Sequence, residues 1–157
     1  MNLLEFGIAA AIVDFATLVA SKFFNLGSSL NEWYARFGMV AVLSDCLVVV
    51  LGIQLALLIE PKAGVFHLLV MAVCIQIVHD ILFYFLIIQP IPAGQNDMID
   101  LFKRYADENS YKIVLYDSFM IGSTVLLAAY LHQLQIPVVH FIGLLTVYAL
   151  TYIVYTH

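Results

Sequence analysis

Charge is what this sequence has least of. Asp, Glu, Lys and Arg make up 11% of its 157 residues and hydrophobic residues 64%, whereas a soluble domain is roughly a quarter charged and about half apolar. That deficit excludes a water-soluble globule, because a fold of this length cannot hide so much apolar surface. Basic residues are the scarcer sign: six Lys and Arg, no basic run and a net charge of −5 give no support to nucleic-acid binding. The two cysteines, Cys46 and Cys74, each lie inside an apolar stretch, which excludes a disulfide framework and leaves them as small packing residues. Residues 1–22 lack a basic n-region and are interrupted by Glu5 and Asp14, so they read as a retained helix and not as a cleaved signal. Internal repeats and low-complexity segments are absent as well.

What remains is a set of long apolar runs. About twenty residues cross a bilayer core, and five segments qualify: residues 4–22, 37–59, 65–88, 112–131 and 138–156. The breaks between them hold all four prolines or the run Asn25-Leu26-Gly27-Ser28-Ser29. The expected fold is all-α, a polytopic transmembrane helical bundle forming one integral membrane domain over residues 1–157. Two shorter pieces belong at the interface. Ser29-Leu30-Asn31-Glu32 has the pattern of a capping box, starting a helix that runs through Trp33 and Tyr34 into the second span, with both aromatics at headgroup level. Asp97–Asn109 puts Met98, Ile99, Phe102, Tyr105 and Ala106 on one face, as in an amphipathic helix resting on the membrane or a solvated connector.

Five crossings place Lys22, Arg36, Lys103, Arg104 and Lys112 on one side and Lys62 on the other. Short loops rich in Lys and Arg stay cytoplasmic, so the amino terminus is expected outside and the carboxyl terminus in the cytoplasm.

Four of the five spans carry an aspartate. Asp14, Asp45 and Asp80 each lie eight residues from the basic-side end of their span, a depth of roughly 12 Å at about 1.5 Å per residue. Asp117 is five residues in, roughly 8 Å. The four carboxyls therefore form one layer, joined by His79. Gly7, Ala10, Asp14, Thr17 and Ser21 make a small and polar stripe, which turns Asp14 towards protein. Gln76, Asp80 and Tyr84 share a face of the third span, Ser44 lies beside Asp45, and Tyr148 of the fifth span falls near the acidic level.

Charge at such depth is costly and marks a site. Four carboxylates in low dielectric would repel, and no Lys or Arg lies deep enough to balance them. Carboxylates with hydroxyls are hard oxygen ligands, so the first reading is cation or proton binding or translocation by Asp14, Asp45, His79, Asp80 and Asp117, supported by Ser44, Gln76, Tyr84 and Tyr148. A bound cation is the one cofactor this implies. The alternative is a structural or assembly protein in which each Asp is inter-helix glue. An intramembrane enzyme comes third, because one deep His without H-x-x-x-H or H-E-x-x-H is a poor metal set. The expected partners are the lipid bilayer and either further copies of the chain or a membrane complex whose other subunits supply the missing positive charge. His67, His132, His140, Glu5 and Glu60 fall near the outer edge and read as ordinary interfacial residues.

Overall fold

Each apolar run forms one helix in the computed structural model, which describes residues 1–24 and 26–156. Asn25 of the first break, and His157, expected to be solvated, lie outside the described residues. The elements are α1 (Leu3–Phe24), α2 (Ser28–Phe37), α3 (Met39–Ile59), α4 (Val65–Phe83, prolonged by a π-helical turn over Tyr84–Ile88), α5 (Asp97–Asn109), α6 (Lys112–Leu131) and α7 (Ile136–Ile153). Among the described residues there is no strand. Five of the helices (α1, α3, α4 with its π turn, α6 and α7) are long and apolar enough to cross a membrane. In hydrocarbon the backbone must satisfy its own hydrogen bonds, and the helix does so within one segment. The outer surface fits that solvent, since Phe66, Leu58 and Leu144 are among many large apolar side chains left exposed.

Local chemistry fixes the ends. A capping box does form, but at α1: the Asn2 amide donates to Glu5 Oε2 at 2.7 Å and the Glu5 amide to Asn2 Oδ1 at 3.0 Å. The box expected at Ser29–Glu32 does not form. α2 begins two residues earlier, with Gly27 at the N-cap position and Ser28 as its first residue, and without a side-chain cap of its own. Its first amides donate instead to Glu108 of α5, Ser28 at 2.8 Å and Ser29 at 2.9 Å. Nor does α2 run on into the second span. Gly38 takes φ +56° between α2 and α3, a left-handed conformation that favours glycine. A Cβ there would also sit 2.9 Å from the Tyr155 ring. Asn96 caps α5 by accepting from the Met98 and Ile99 amides.

The spans pack as a closed ring of four: α1 on α3, α3 on α4, α4 on α6 and α6 back on α1. These are the four helices that carry the aspartates. The acid-free helix α7 stands outside the ring and packs chiefly on α1, where Gly143 lies against Ile8. The half of the ring away from α2 and α5 is filled solid by Phe6, Ile53, Leu68, Ile121, Val125 and alanines such as Ala9, Ala56, Ala72 and Ala128. Alanine at these positions lets the backbones approach. A second core, built on Leu18, Tyr34, Val42, Leu101 and Leu150, joins the other end of the bundle to α2 and α5.

Those two short helices roof that end of the ring. Trp33 packs on Phe102 with ring centroids 4.9 Å apart, and Phe102 meets Phe83 of α4 at 6.0 Å. Arg104 pairs with Glu32 at 2.6 Å and Arg36 with Asp97 at 2.8 Å. The apolar face of α5 is therefore turned towards the protein, with Ile99 buried and Met98 and Phe102 packed against the second core.

Candidate functional site: an acid-lined cavity under the helical roof

The aspartates sit where the two cores meet. On α1, Asp14 lies between Ala10 of one core and Leu18 of the other, and on α3, Asp45 lies between Val42 and Val49. The solid half ends at this level and the ring opens into a cavity of about 1740 Å³ beneath α2 and α5. Asp45, His79, Asp80 and Asp117 line it, together with Ser44, Gln76 and Tyr84. Neither Lys nor Arg is among its lining residues.

The expected layer thus resolves into unlike parts. Asp14 is fully buried but does not face the cavity. Its Oδ1 accepts from the Tyr34 hydroxyl at 2.8 Å, and its Oδ2 has no hydrogen-bond partner. Asp45 Oδ2 accepts from Trp33 Nε1 at 3.0 Å. On α4, Asp80 Oδ1 accepts from Gln76 Nε2 at 2.7 Å and lies 3.2 Å from His79 Nδ1. His79 itself is largely exposed and stacks on Phe83. Asp117 on α6 shares the cavity wall with Asp80 and Asp45, and no hydrogen-bond donor reaches it among the described residues. Nor do three His, Cys, Asp or Glu side chains converge there as a metal-binding group.

Tyr148 does not join the site. It lies on the outer face of α7, 62% exposed, with its ring against Tyr152 at 5.0 Å. The expectation failed because equal depth says nothing of position around the bundle, and α7 is outside the ring. The outer-edge residues form two pairs of their own, His67 with Glu60 at 3.2 Å and His132 with Glu5 at 3.1 Å.

The sequence reading missed the roof's share of the site. Trp33 and Tyr34, read only as headgroup-level aromatics, are buried donors to two of the acids. Adjacent residues lie about 100° apart round a helix, so one face of α2 presents both. Burial, then the Asp45 and Asp14 carboxyls, push the Tyr34 phenol well up, keeping it a proton donor. Tyr105 of α5 also lines the cavity, and burial followed by the nearby Asp117 carboxyl pushes its phenol up. The signal available in the sequence was adjacency: an aromatic pair on a ten-residue helix, directly before an acid-bearing span.

Comparison with protein-family models, with curated proteins and with solved structures finds no match to this chain.

Proposed function

We propose that the chain is a small membrane protein that binds cations or protons at the carboxyls of Asp45, Asp80 and Asp117, with His79 as the neighbouring base. One observation carries the reading: three acids from three helices line one cavity that has no Lys or Arg in its wall. Charges so placed are costly unless something positive meets them. The solid core beyond the acids favours binding over an open pore in this conformation. Basic-side counting puts the roof in the cytoplasm and the amino terminus outside, so the cavity would serve the cytoplasmic half of the bilayer.

A structural role belongs to Asp14 in particular. Fully buried, off the cavity and held by Tyr34, it ties α1 to α2. Asp45, which lines the cavity and is held by Trp33, shares in both roles.

The test is a melting-temperature screen of purified protein against pH, sodium, calcium, magnesium and zinc, comparing wild type with Asp80→Asn and Asp117→Asn. A cation- or proton-dependent shift that both variants lose is expected. A wild type indifferent to every ion and to pH sinks the reading. An amino-terminal tag found in the cytoplasm overturns the orientation.

A further inference from the structure

The size and walls of the cavity say more about its occupant than the acids do. At about 1740 Å³ it exceeds the 300–1,000 Å³ typical of small-molecule sites, and a bare ion would leave it almost empty. No three acidic or imidazole groups converge as a coordination shell among the described residues. Most of the wall is hydrocarbon and aromatic, and burying it calls for apolar ligand surface. Leu47, Leu51, Ile81 and Phe119 line the cavity and are 48–72% exposed. Its mouth therefore lies on a lipid-facing surface. Trp33, Tyr34 and Tyr105 are among its lining residues, and aromatic rings attract poorly hydrated cations.

Resting on the cation reading above, we infer that the occupant is a lipophilic organic cation, a positive centre on an apolar body that enters from the bilayer. The positive centre sits between Asp117, which no donor reaches among the described residues, and the Asp80 carboxyl. The apolar body fills the space towards Phe102 and the mouth.

The chain has a single tryptophan, Trp33, in the wall of this cavity, so its fluorescence reports entry directly. The experiment titrates the protein, in phosphatidylcholine nanodiscs, with tetraphenylphosphonium and with the isosteric anion tetraphenylborate. The expected result is a saturable Trp33 response to the phosphonium alone, at least tenfold weaker in Asp117→Asn. Asp80→Asn serves the same purpose should Asp117→Asn fail to fold. Equal responses to both ions, or unchanged phosphonium affinity in a folded Asp→Asn variant, overturn the inference by making the cavity a charge-blind apolar space. Silence towards the phosphonium while inorganic cations or protons still shift the melt overturns it but spares the cation reading. Silence towards all of them removes both.

Discussion

Trp33 on the roof donates to Asp45 in the span beneath it at 3.0 Å, and the next residue, Tyr34, donates to Asp14 at 2.8 Å. One short helix thus satisfies acids of two different spans. A buried carboxylate stripped of its donor costs about 1–3 kcal/mol. Trp33→Phe and Tyr34→Phe should each destabilise by that amount, read from helical ellipticity on thermal or denaturant unfolding. Tyr34→Phe should be the worse, because Asp14 Oδ2 already lacks a partner. Asp14→Asn should be milder, since an amide still accepts from Tyr34 and carries no charge. An Asp14→Asn loss larger than that of Tyr34→Phe would contradict this.

Gly38 separates roof from span. Gly38→Ala must place an L residue at φ +56° and a methyl group 2.9 Å from Tyr155. The backbone term alone costs about 1–2 kcal/mol. The double variant Gly38→Ala/Tyr155→Ala should recover the contact but not the backbone strain, so rescue should be partial. Full rescue would show that the conformation itself costs nothing.

Gly143 lets α7 dock on α1. A Cβ there would meet Ile8 Cδ1 at 2.8 Å. Gly143→Ala should destabilise by about 1–3 kcal/mol through overpacking. Shortening the opposing side chain in Gly143→Ala/Ile8→Ala should give a coupling of at least about 0.5 kcal/mol in a double-mutant cycle. Additive effects would mean that the helices separate without cost.

Glu108 is exposed, yet hydrogen bonds from Ser29 and then Ser28 hold its carboxyl at about 2, below the ordinary 4.5. A depressed carboxyl contributes stability above its ordinary value, and that contribution fades as pH falls from about 4.5 towards about 2. Glu108→Gln should therefore melt earlier than wild type at neutral pH, by an N-cap's worth of about 1 kcal/mol. The two should converge in that acid window. A gap that persists at the acid end would assign the effect to something other than the charge.

Much of this is legible in the sequence itself. The α4 and α6 spans match the apolar segmentation residue for residue, and the other three differ by two or three residues at most at each end. Apolar length and proline punctuation decide spans with little competition from packing. The facing of Asp14 was readable from its small-residue stripe, of which Ala10, Asp14 and Ser21 are buried. Other features were not legible. Local pattern placed a capping box at Ser29, but Glu108, some eighty residues away in sequence, competes for the same amides and wins. Nothing local shows that α7 lies outside the ring, so Tyr148 matched the acids in depth and missed them in azimuth. The roof escaped for a similar reason: amphipathicity tells that α5 has an apolar face, not whether lipid or Trp33 will cover it.

The closed ring has a consequence for how the protein is made. Its helices leave the ribosome in the order α1, α3, α4, α6, and the two seams that α6 forms with α1 and α4 are the ones that shut it. Until α6 is synthesised, three spans sit in the membrane with their carboxyls facing an unfinished wall. An Asp at mid-span costs about 2.5–3.5 kcal/mol on insertion. Until α6 arrives, the apolar residues of those spans carry that cost with only part of the ring to share it. Birth order thus makes the fourth acid-bearing helix the keystone of assembly, and a chain truncated before Lys112 would be left with an open wall for membrane quality control to find.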